Sequence, residues 1–170
     1  GAAPLLTNSP DPNYVALFAY LFAVTVGAIW IVSITGWRIL TAAALVLITL
    51  YSFPHFVSNL ADMGSLLLFA YAFAGLFFIT NTLGILKLKG KEITPDLVTA
   101  AGNGLFLLAW IKLAAPDEWQ SLIMAAWMIV FAVGAFMLFR NTGRREPFFV
   151  YLGVGVGMLA AATAAELDGA

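Results

Sequence analysis

Tyr14-Val-Ala-Leu-Phe-Ala-Tyr-Leu-Phe-Ala-Val-Thr-Val-Gly-Ala-Ile-Trp-Ile-Val-Ser-Ile34 runs for 21 residues without a charged side chain. Wound as a helix at 1.5 Å per residue, such a stretch crosses the ~30 Å hydrocarbon core of a bilayer. It is apolar on every side, so it is not a one-faced surface helix. Nor does it alternate apolar and polar residues as a membrane barrel strand would.

Working outward, five more stretches follow the same pattern. The six expected spans are about 14–34, 39–57, 64–86, 97–114, 122–139 and 148–165. The second is short, and Pro54-His55 either ends it or kinks it, because proline breaks a helical hydrogen bond. Ala115-Pro-Asp-Glu-Trp119 and Arg140-Asn-Thr-Gly-Arg-Arg-Glu-Pro147 are tight polar connections between spans. The expected fold is all-α, a polytopic transmembrane bundle of six spans in three hairpins, forming a single domain over 1–170. Upstream, Thr7-Asn-Ser-Pro-Asp-Pro-Asn13 is dense in turn residues and reads as a loop. The chain opens on Gly1 with no basic leader, which is the expectation for a section of a longer protein or a processed one.

Composition agrees. Of 170 residues 62% are hydrophobic and only 10% charged, against about 25% charged in a soluble domain. Mean hydropathy is +0.97. The net charge of −1 and the lack of a basic face exclude a nucleic-acid binder. The absence of cysteine excludes thiol redox chemistry and Cys-ligated metals.

Leu17-Phe-Ala-Tyr-Leu-Phe-Ala23 and Leu68-Phe-Ala-Tyr-Ala-Phe-Ala74 share six of seven residues at an offset of 51. Both lie early in a helix–basic loop–helix unit, which points to a parallel helical hairpin repeat. The opening Gly1-Ala-Ala-Pro-Leu-Leu-Thr7, the Ala16-Leu-Phe-Ala-Tyr20 start of the first span and Gly36-Trp-Arg-Ile-Leu40 carry a resemblance. The chain resembles a bacterial family of many-spanning membrane proteins of unknown function, built from tandem helical hairpins. The resemblance implies that this chain is one section of a longer protein. It brings no established activity.

Charge sets the expected orientation. With six spans, Arg38, Lys87, Lys89, Lys91, Arg140, Arg144 and Arg145 fall on one side and only Lys112 on the other. The basic loops should therefore face the cytoplasm of a bacterial inner membrane, with both termini outside. Lys87, Lys89, Lys91, Arg144 and Arg145 form the expected lipid-facing basic loops.

No chemistry rises from the motifs. His55 has Asp62 seven residues on but no second histidine, so an interfacial residue is the simpler reading than a metal or pigment ligand. Lys112 lies close enough to a helix end to snorkel toward Asp117 and Glu118. Gly153, Gly155 and Gly157 lack the spacing of a phosphate loop. Gly153, Gly157, Ala161 and Ala165 instead recur every fourth residue as a small-residue packing seam, and Ala100 and Gly104 form a shorter one. Tyr14, Trp37, Trp119 and Phe148 read as interfacial anchors, and Tyr20, Trp30, Tyr71 and Trp127 as packed between helices.

Asn81 and Asn103 are the informative polar pair. Counting from the span ends puts them about 7–8 Å and about 9 Å deep at nearly one level, where they should bond directly or share Thr80, Thr82 or Thr99. No catalytic, cofactor or metal residue is expected, and the chain is not read as an enzyme. The expected partners are the lipid bilayer, other membrane subunits and missing parts of a longer chain. The expected function is a structural or assembly section of a larger membrane protein. The alternative is a transporter or lipid-handling protein with a pathway between hairpins, marked by a wet, polar-lined cavity.

Overall fold

The computed structural model describes residues 14–57, 63–87 and 93–168, with the side chains of 54–57, 63 and 168 excluded. The described residues form helices and no strand: α1 Tyr14–Thr35, α2 Ile39–Val57, α3 Met63–Lys87, α4 Thr94–Ala114, α5 Asp117–Thr142 and α6 Arg145–Asp168. The fold is an all-α bundle. Five of the six helices are long and apolar enough to cross a membrane. The apolar part of α2, Ile39–Phe53, is shorter. Its helix continues through Pro54 to Val57.

The helices outrun the apolar stretches that announce them. Hydropathy marks only residues that suit hydrocarbon, whereas the backbone ladder continues for as long as each N–H finds a carbonyl. Thus α4 begins at Thr94 rather than Leu97, with Pro95 in its first turn, where a missing N–H costs nothing. At its far end α5 continues to Thr142, and Gly143 stops it in the left-handed conformation (φ 67°), its N–H bonding the Phe139 carbonyl at 2.8 Å.

Packing follows a simple rule. Odd helices contact odd ones (α1 with α3, α3 with α5) and even contact even (α2 with α4, α4 with α6), while each hairpin joins the two rows. The result is two layers of three helices, with α4 touching α2, α3, α5 and α6. Large side chains fill the space between layers: Phe18, Phe73, Phe77, Trp110, Phe131 and Tyr151 are all fully buried. Residues 51 apart in sequence meet across α1 and α3: Phe18 lies 6.2 Å from Phe69, and Phe22 lies 5.4 Å from Phe73. Trp110 of α4 sits edge-on to Phe18 at 6.0 Å. Tyr71 and Trp127 do pack between helices, at 6.4 Å, but Tyr20 and Trp30 do not: they face outward, 50% and 69% exposed. In an environment as apolar as the side chains themselves, hydrophobicity does not decide which aromatic turns inward.

Candidate functional site

A partly buried salt bridge lies at one end of the bundle. Gly36 ends α1 with a left-handed φ of 75°, a conformation that only glycine adopts without strain, and the chain turns back at once. That turn presents Arg38, whose Nη1 donates to Asp96 Oδ1 of α4 at 2.5 Å. Asp96 is 2% exposed and Arg38 21%. The carboxylate lies in the first turn of α4, where the helix dipole favours a negative charge. Gly84 of α3 makes the space: any Cβ there would overlap the Arg38 guanidinium. Three segments far apart in sequence thus meet around one ion pair, and the α1–α2 turn is fixed to the same end of the bundle as the start of α4.

Below this pair lies the seam between α3 and α4. Asn103 is fully buried, and its Nδ2 donates to the Ala74 carbonyl at 3.0 Å. The bond sets the register of the antiparallel hairpin. Stepping seven residues from each partner, about 10 Å along each helix, brings Asn81 to the level of Asp96. Both amides point inward, as the sequence led us to expect, but they do not meet. They are separated by about two turns, of which the start of α4 three residues earlier than its hydropathy suggests supplies less than one. Thr80 and Thr99 bond carbonyls of their own helices, Leu76 and Pro95. Thr82 pairs instead with the Tyr151 hydroxyl of α6 at 3.2 Å. Asn81 is 1% exposed, and neither its oxygen nor its nitrogen has a hydrogen-bond partner; the same is true of Asp96 Oδ2 and of Asn103 Oδ1.

The small-residue positions divide. Ala100 and Gly104 are buried, and a Cβ on Gly104 would overlap Val154 of α6, so α4 and α6 approach closely there. On α6 the intimate contact with α5 is at Gly155, whose Cβ would lie 3.4 Å from the Met128 carbonyl. Gly134 of α5 meets Phe78 and Tyr151. Gly153 and Gly157 are exposed, with nothing near the Cβ each lacks. They line an open apolar groove of about 360 Å³ with Gly104, Leu105, Leu108 and Met158. Ala161 is half-buried. Within this chain, the face of α6 that packs is the one next to the stripe we expected.

Lys87 is exposed at the end of α3; Lys89 and Lys91 lie outside the described residues. Arg144 and Arg145 stand in the α5–α6 turn, half-buried and exposed respectively. His55 falls within α2, but its side chain and all of Asp62 are outside the description. At the opposite end Lys112 is exposed. Gln120 closes the α4–α5 turn there, donating to Ala115 O at 3.0 Å and Asp117 Oδ1 at 2.9 Å, and Ser121 bonds Glu166. Among the described residues no group of three His, Asp or Glu is placed to hold a metal.

Sequence reasoning counted Arg38 only as a loop charge and missed its pairing with Asp96. The available signal was Pro95-Asp96, a helix-start pattern that draws the acid into α4. A pair 58 residues apart leaves no local trace beyond that. Chemically the arrangement holds helices together. No family model, curated protein or solved structure matches the chain.

Proposed function

We propose that the chain is a structural or assembly section of a larger integral membrane protein or complex, and not an enzyme. Its setting in this reading is the bacterial inner membrane, with the basic turns toward the cytoplasm, as the resemblance to the tandem-hairpin family and the charge asymmetry suggest. One observation carries the proposal: Asn103, midway along the α3–α4 seam, donates directly to the Ala74 carbonyl with no exposure. A wet, polar-lined cleft reaching that level would leave the amide exposed. The equivalent-residue contacts of α1 and α3, and the odd-on-odd, even-on-even stacking, support a repeated hairpin as the unit of assembly.

A second reading, a transporter or lipid-handling protein, draws on Asn81 and Asp96 Oδ2, which are buried at one level without partners. Cysteine accessibility separates the two, because the chain has no cysteine of its own. With the protein in membranes, Asn103→Cys and Asn81→Cys should both resist a small water-soluble thiol reagent, while Arg145→Cys reacts. Labelling of both buried positions from the basic side would mean a wet cleft and favour transport.

A further inference from the structure

We infer that the basic end of α5 is a binding site for an anionic phospholipid, with Arg140 on its phosphate and an acyl chain along the helix below. The inference rests on the reading that this chain crosses a membrane with the α5–α6 turn at its surface. Val133, Phe136, Met137, Arg140 and Asn141 follow one another at helical spacing and share one face of α5. They line an open groove of about 540 Å³. Its part farther from the turn is apolar and open, with Val133 61% and Phe136 62% exposed. Its mouth is polar: Arg140 and Asn141 are both exposed in the last turn. The Asn141 amide is tethered to the Met137 carbonyl at 2.7 Å, which leaves the Arg140 guanidinium to meet a ligand.

Two features match this groove to a lipid rather than to a soluble anion. First, the charge is concentrated: left-handed Gly143 turns the chain so that Arg144 and Arg145 follow Arg140 within five positions, with Glu146 the one acid of the turn. Guanidinium forks suit phosphate oxygens, and each basic group near a bilayer surface adds to attraction for anionic lipid. The negative end of the α5 dipole is met here by the positive start of α6, so the helix ends do not repel the anion. Second, the charges stand on an aromatic floor. Phe148 packs on Phe136 at 5.5 Å, on Phe139 at 5.4 Å and on Phe149 at 5.6 Å. A free phosphate would use the arginines and leave the apolar groove bare. A lipid uses both.

The test is native mass spectrometry of the purified full chain in detergent, offered phosphatidylglycerol, phosphatidylcholine or inorganic phosphate. Retention of the chain in liposomes on flotation checks the underlying membrane reading separately. The wild-type chain should retain one phosphatidylglycerol in preference to phosphatidylcholine. Arg140→Gln should cut that retention about tenfold, the loss of one charge-assisted contact. Val133→Trp, which adds bulk on that face and leaves the charge, should also lower it, while Lys112→Gln, at the opposite end of the bundle, should not. Helix content by circular dichroism confirms that each variant folds. Equal retention by wild type and Arg140→Gln, or an equal effect of Lys112→Gln, would overturn a specific site. Insensitivity to Val133→Trp, together with displacement of the lipid by inorganic phosphate, would overturn the lipid as occupant.

Discussion

At the scale of single residues, the Arg38–Asp96 pair is where the chain has most to lose. Removing one partner of a buried pair leaves an uncompensated charge, which costs about 3–5 kcal/mol in the cases measured, whereas replacing both with apolar residues is often neutral. Arg38→Ala should therefore destabilise the bundle by about 3 kcal/mol, read by unfolding in detergent, and Arg38→Met with Asp96→Leu should recover most of it. Gly84→Ala should follow Arg38→Ala in direction, because its methyl group evicts the guanidinium, while Gly153→Ala should be tolerated. If Gly84→Ala is as stable as the parent, the slot is not what holds Arg38. The two amides should also part company. Asn103→Leu loses an interhelical bond worth about 0.6–2 kcal/mol. Asn81→Leu removes a buried amide that has no partner, so it should be neutral or stabilising. Equal losses from the two changes, in the same unfolding assay, would show that Asn81 has a partner after all.

Among whole elements, the sequence was clear about what lies where along the chain and silent about which way each helix faces. A run such as 14–34 or 64–86 announces a helix because hydrocarbon tolerates no unpaired backbone, and that constraint is legible in composition alone. Facing is not, because a helix that is apolar all round carries no preferred side. Hence Tyr20 and Trp30 point outward where Tyr71 and Trp127 pack, and α6 meets α5 through Gly155 rather than Gly153 or Gly157. The packing predicts that Gly155→Leu disturbs the α5–α6 hairpin more than Gly157→Leu does. Thermal unfolding of the two variants decides it, and the opposite ranking would assign the packing face to the Gly153–Gly157 stripe. Polar residues were partly legible. That Asn81 and Asn103 turn inward follows from the cost of an amide in lipid. Their register does not, since it depends on where α4 begins, and Thr94-Pro95-Asp96 is a start that hydropathy reads as loop.

For the molecule as a whole, the polar links explain how three hairpins hold together without a hydrophobic drive between them. Arg38 ties the first hairpin to the second, Asn103 closes the second, and Thr82 with Tyr151 ties the second to the third. Two of these ties lie at the end that carries Lys87, Arg140, Arg144 and Arg145. The Arg38–Asp96 pair also fixes the start of α2 at that end of the bundle, although the apolar part of α2 is shorter than the others. The account therefore makes one central claim: the helices cross the membrane with every basic turn on one side. The direct measurement is labelling of intact cells with a membrane-impermeant thiol reagent, using Trp37→Cys, Lys87→Cys and Arg145→Cys at one end and Glu118→Cys at the other. The account predicts that Glu118→Cys reacts and the other three are protected until the cells are opened. Trp37→Cys and Lys87→Cys labelling from opposite sides would contradict it.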